Sequence, residues 1–147
     1  MGEVKYLLDT NILSEPTKLV PDGSVLRKLA RHRKLLATAS IVWHELQYGC
    51  ARLPIAKKRS HLAQYLSDVV RTTVPILPYD ETAAAWHAQE RARLAAKGVV
   101  TSHADGQIAA IAAVNELILV TRNTKDFEGF ADIRLENWFV PQTKRRK

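Results

Sequence analysis

Five short apolar, β-rich stretches separated by helix-like segments constrain this chain more than any other feature. They are Val4–Leu8, Leu35–Thr38, Thr72–Leu77, Leu117–Thr121 and Ile133–Glu136. Short continuous apolar runs of this kind suit strands buried on both faces, the signature of a parallel sheet. Between them lie helix candidates. Val25, Leu26 and Leu29 recur at helical spacing up to about Arg33, and Ser40 is a plausible N-cap for a helix carrying Val42, Trp43, Leu46 and Cys50. Past Pro54, Ile55–Arg71 places Leu62, Tyr65, Leu66, Val69 and Val70 on one face. Asp80 caps the Ala-rich helix Glu81–Ala96, which stops at Gly98, and Asp105–Asn115 forms a further apolar helix. Phe127–Phe130 reads as a turn and Ile133–Glu136 as an edge strand. The alternation predicts an α/β fold, with a central, mainly parallel sheet of about five strands flanked by helices.

The chain has 147 residues, enough for one domain, with 1–141 as its body and 142–147 as a basic tail expected to be disordered. With 46% hydrophobic and 25% charged residues, the composition excludes disorder, coiled coil and collagen-like arrays. No apolar run approaches the ~20 residues of a membrane span, and the N-terminus does not read as a signal peptide. Cys50 is the single cysteine, so no intrachain disulfide or Cys-rich zinc site is expected, and a reducing cytoplasm is the default location. The net charge of +7 is unevenly spread: Lys18 to Arg71 holds eleven Lys/Arg against three acids, whereas the remainder is slightly acidic. A basic segment beside an acidic body suits a protein that holds a polyanion on one surface and a cation elsewhere.

Parallel α/β sheets build their sites where strands end and helices begin. Three acids fall at such places: Asp9 after the first strand, Glu45 on the helix after the second, and Asp105 opening the helix that leads to Leu117–Thr121. A further polar group follows that strand at Thr121, Arg122 and Asn123, with Asp126 three residues on. Asp9 and Asp105 could each serve only as turn or cap residues. Glu45 sits among Ile41, Val42, Trp43 and Leu46 on a helix expected to be largely buried, so its charge calls for a cation, either a divalent metal or Arg122. Were the three acids to converge, Mg2+ or Mn2+ would relieve their repulsion and make a bound water acidic enough to attack a phosphodiester.

The same residues carry a family resemblance. Tyr6 to Glu15, Ser40 with Glu45–Leu46, Ala104 to Ala110, and Leu119 to Asn123 with Asp126–Phe127 resemble the four motifs of PIN-domain proteins, VapC toxins in particular. The resemblance spans about Tyr6 to Pro141. It implies a three-layer PIN-like nuclease domain and a Mg2+-dependent endoribonuclease, the toxin of a type II toxin–antitoxin pair. It further implies an RNA substrate, a VapB-like antitoxin partner, a homodimer and toxin–antitoxin hetero-oligomers. By motif match Asp9, Glu45 and Asp105 form the acidic pocket, with Asp9 and Asp105 as direct metal ligands and Glu45 coordinating directly or through water. Asn123 stands where some relatives carry Asp, so Asn123 and Asp126 share the fourth place. Thr10 and Asn11 are expected to shape the turn at Asp9, Ser40 to cap its helix, and Glu15 to pair locally. Leu53, Ile55, Leu62 and Leu66 are candidates for a partner groove or for core.

Two rival readings stand beside this one. A catalytically silent PIN-like module would bind RNA or a partner and keep its acids for structure only. A phosphatase with Asp9 as nucleophile would need a second aspartate two residues on, where this chain has Asn11.

Overall fold

The structure is a computed structural model, and it describes residues 3–141; the basic tail expected to be disordered lies outside the described residues. The chain opens with β1 (Tyr6–Leu8), buried along its length, followed after one residue by the short helix α1 (Thr10–Leu13). A 3-10 turn at Glu15–Thr17 leads to α2 (Gly23–Arg31), whose N-cap Asp22 accepts a hydrogen bond from Val25 N. Next come β2 (Leu36–Ala39), α3 (Ser40–Ala51) and α4 (Lys57–Tyr65). A π-helical turn, Leu66–Val70, joins α4 to α5 (Arg71–Thr73), and β3 (Ile76–Leu77) follows. The second half consists of α6 (Glu81–Ala96), α7 (His103–Val114), β4 (Ile118–Val120), a 3-10 turn at Thr124–Phe127 and β5 (Arg134–Glu136).

The expected parallel sheet is present. Its order is β3-β2-β1-β4-β5, and every pairing is parallel, with Leu7 opposite Ala37 on one side and Leu119 on the other. Leu7, Leu8, Leu119 and Val120 are fully buried, and burying such a side chain contributes ~1.5–3 kcal/mol. From β1 the chain builds β2 and β3 to one side, then crosses to build β4 and β5 on the other. The order therefore reverses between β1 and β4, and the crevice at their carboxyl ends is where such sheets place their chemistry.

Several expectations need correction. Thr72 and Thr73 belong to a helix rather than to a strand: their hydroxyls donate to the carbonyls of Asp68 and Val69 at 2.7 and 2.6 Å, the back-bond to the preceding turn that Thr makes in helices. The segment Ile55–Arg71 is helical only from Lys57 and widens at Leu66–Val70, a turn in which Leu66 and Val70 both face the core. Leu66 is thus core rather than groove, whereas Ile55 is 92% exposed. Ser40 is the first residue of α3, not its cap; Ala39 holds the cap position with no side-chain bond.

Candidate active site

Asp9 leaves the buried end of β1 and caps α1. Its Oδ1 accepts from Thr10 N at 2.8 Å, and its Oδ2 accepts from the Thr121 hydroxyl at 2.7 Å. Thr121 follows β4 and is fully buried, and its Oγ1 also accepts from Asn123 N at 3.1 Å. Across the same gap Asn11 Oδ1 accepts from Arg122 N at 3.1 Å. The loops after β1 and β4 are thereby tied together at the point where the strand order reverses. Thr10 shapes the Asp9 turn through its backbone amide, while Asn11 reaches over to the neighbouring loop.

Asp105 arrives from α7. It does not open that helix, as its sequence context suggests; His103 does, with Ser102 as the cap whose hydroxyl accepts from Asp105 N at 3.0 Å. Asp105 lies in the first turn, a favourable place for a carboxylate beside the positive end of the helix dipole. Glu45 projects from α3, and here the structure corrects the expectation of burial: its side chain is 52% exposed, and His44 Nδ1 lies 3.8 Å away. Arg122 does not pair with it. The Arg122 guanidinium stacks on the Phe139 ring, 4.3 Å from its centroid.

Asp9, Glu45 and Asp105 nevertheless line one cavity of about 440 Å³, together with Thr10, Asn11, Ser14, Ile41, Ala104, Ile108 and Asn123. Among the described residues no lysine or arginine is in its lining. Asp126 is not a lining residue, but its charge acts on the site. Burial raises the Asp9 carboxyl above the usual carboxylate range; the Thr121 and Thr10 bonds pull it back, and the charges of Asp126 and Glu45 push it up again. Burial likewise raises Asp105, opposed by Ser102 and reinforced by Asp126 and Asp9. Among the described residues no three His, Cys, Asp or Glu side chains are drawn together as a ready-made ion cage. The acids line an open cavity instead.

Of the remaining candidates, Asn123 lines the cavity and precedes the 3-10 turn that carries Asp126. Glu15 pairs locally as expected: its Oε2 accepts from Asp22 N at 2.8 Å, and its buried Oε1 lies 3.0 Å from Lys18 Nζ, outside hydrogen-bond geometry. His103 stacks edge-on to His87, with ring centroids 5.2 Å apart, and is not in the lining of the acidic cavity. The role of Thr121 is not evident from the sequence, since its bond to Asp9 spans 112 positions and exists only because β1 and β4 are neighbours. A second cavity, about 890 Å³ between Pro16–Leu19 and α4, has no carboxylate in its lining among the described residues.

An all-parallel α/β sheet thus carries a carboxylate-lined cavity at the point where its strand order reverses, the place where folds of this class build their sites. A family model described as "PIN domain" matches residues 6–133. The chain is 34% identical to "VapC ribonuclease Y4jK" of Sinorhizobium fredii, over 83% of this chain and 89% of the relative. It is 33% identical to "tRNA(fMet)-specific endonuclease VapC" of Shigella flexneri, over 92% and 98% respectively. The structure of VapBC2 from Rickettsia felis, bound to a DNA fragment from their promoter, superposes with a TM-score of 0.79. There the identity is 30%, with 92% of this chain and 99% of that one covered. The chain belongs to the PIN-domain family, among its VapC members.

Proposed function

We propose that this protein is a Mg2+-dependent endoribonuclease and the toxin of a VapBC-type toxin–antitoxin pair, working in the cytoplasm. The observation that carries the reading is the convergence of Asp9, Glu45 and Asp105, from three distant stretches of chain, on one cavity. The donor set fits the ion. It is all oxygen, and it is open, which suits Mg2+ because that ion keeps several waters and seldom takes a closed protein cage. Asp9 and Asp105 would hold it, with Glu45 coordinating directly or through water; Mn2+ meets the same requirements. When bound, such an ion supplies charge neutralisation and a more acidic water for attack on phosphorus.

The chain's own residues do the rest. Thr10 and Thr121 fix both oxygens of Asp9, so the carboxylate keeps one orientation. Glu45, half exposed on α3, has the freedom to take up a proton-accepting position toward a water. Asn123 offers an uncharged amide at the cavity wall, and Asp126 adds negative potential behind it. The basic span Lys18–Arg71 would attract RNA phosphates. A VapB-like antitoxin partner is supported by the Rickettsia felis relative, which is seen as a VapBC2 complex on DNA, and a toxin homodimer is part of the same proposal. Location in the cytoplasm agrees with a chain that has a single, buried cysteine and so no disulfide framework of its own.

The test is RNA cleavage by the purified protein with Mg2+ or Mn2+. Cleavage should stop with EDTA, return with added Mg2+, and be absent in Asp9→Asn and Asp105→Asn proteins that keep the wild-type circular dichroism. RNA binding without cleavage at any metal concentration would instead show a silent binding module.

A further inference from the structure

Helix α7 contains one residue that its own propensity argues against. Gly106 is buried in a helix otherwise rich in alanine, where Ala is worth ~1 kcal/mol more than Gly. A close approach explains it. A Cβ at position 106 would collide with the imidazole of His87, meeting Nε2 first and then Cδ2 and Cε1. His87 projects from α6, is only 4% exposed, and has its Nδ1 2.8 Å from the Tyr79 hydroxyl. The ring is therefore held from both sides, by the Tyr79 hydroxyl on one and the bare backbone of α7 on the other. Burial, His103 and Arg91 all lower the His87 pKa, which keeps the imidazole neutral against that helix. The residue immediately before Gly106 is Asp105.

We infer that His87 is a positioning residue for Asp105: the imidazole, anchored by Tyr79 and seated on Gly106, sets how far the first turn of α7 reaches into the carboxylate cavity. The inference rests on the nuclease reading above, and it deepens it by naming what holds one of the three acids in place. Groups that fix the ligands of a metal site typically change its affinity by ~10–100-fold when removed, and a helix moved by a fraction of an ångström moves its carboxylate with it.

The experiment uses Mn2+ alone as a probe, with free ion followed by electron paramagnetic resonance, alongside RNA cleavage. It compares the wild type with Tyr79→Phe, Gly106→Ala, His87→Ala and the double variant His87→Ala/Gly106→Ala. All are held at a temperature where circular dichroism shows them folded. Gly106→Ala should weaken Mn2+ binding and kcat by about tenfold while KM for RNA changes by less than about twofold; Tyr79→Phe should weaken Mn2+ binding by about threefold. The double variant should bind Mn2+ more tightly than Gly106→Ala, because the new methyl group occupies space that the ring has left. Wild-type affinity in both Gly106→Ala and Tyr79→Phe, or losses that simply multiply in the double variant, would overturn the inference. Should Gly106→Ala not fold, the double variant decides: affinity close to that of His87→Ala supports the positioning role, and a further large loss removes it. A wild type that binds Mn2+ but cleaves no RNA sinks the nuclease reading alone, and the Mn2+ comparison still stands. A wild type that binds no Mn2+ overturns both.

Discussion

Asp9 occupies a place that costs the folded protein stability. Its carboxyl is raised by burial, so the native state holds a proton at a pH where the unfolded chain has released it. Its contribution is therefore most favourable below the unfolded value of 3.8 and is lost as pH rises through the folded pKa. At neutral pH the ionised group is a strain that an added cation would relieve. Asp9→Asn should consequently raise Tm in metal-free buffer while abolishing cleavage, each kcal/mol amounting to about 2–4 °C. Thermal melts at pH 7 with EDTA check this, and a lower Tm would contradict it. Thr121 acts in the opposite sense, since its hydroxyl donor holds Asp9 toward the ionised form. Thr121→Val keeps the shape but removes that donor, and a hydrogen bond to a charged group is worth ~1.5–3 kcal/mol. Cleavage at pH 7 should fall by about tenfold or more, with the rise of the pH–rate profile moved to higher pH.

Between elements, α6 is fastened at two places with different chemistry. Its His87 side packs on α7 at Gly106. Farther along, Glu90 receives Arg93 Nε and Nη2 at 2.9 and 2.8 Å and Ala131 N at 2.8 Å, while Arg93 Nη2 also donates to Gly129 O at 2.8 Å. The cluster ties α6 to the loop that precedes β5. The Arg93 bonds hold Glu90 below its ordinary pKa of 4.5 against the opposing effect of burial. A depressed folded pKa gives stability that is present above the unfolded value and is lost as pH falls through the folded one. Glu90→Ala should therefore cost about 1–3 kcal/mol at pH 7, discounted for the partly exposed Arg93, and flatten the loss of stability below pH ~4.5. Urea titrations of both proteins at pH 7 and pH 3.5 measure the difference. An equal deficit at the two pH values would show that the cluster contributes packing rather than charge.

For the whole molecule the separation of charge is the governing property. The surplus of cations lies between Lys18 and Arg71, while the cavity draws on the acids Asp9, Glu45 and Asp105. Long-range attraction would bring a polyanion to the protein, and its release of counterions makes binding fall with salt. RNA affinity, measured with the non-cleaving Asp9→Asn variant, should drop by about tenfold or more between 50 and 200 mM salt if three or more phosphates are neutralised. Replacing the exposed Lys57 and Lys58 by Gln should make that dependence shallower by roughly 1.5–2 units of slope, without altering the fold. A slope unchanged by those substitutions would move the RNA path away from α4.

The sequence by itself determined the sheet and the candidate acids. Short apolar runs such as Leu117–Thr121 cannot be solvated, and a turn that begins with Asp at a buried strand end is a local event. The cap at Asp80 was legible for the same reason, because it bonds an amide only three residues away. Tertiary structure alone decided the exposure of Glu45, the stacking of Arg122 on Phe139, the bond from Thr121 to Asp9 and the seat of His87 on Gly106. Each of these joins or frees side chains according to which elements lie side by side. The strand order that brings Thr121 to Asp9 is settled by packing energy summed over the whole sheet, and no local stretch of sequence contains it.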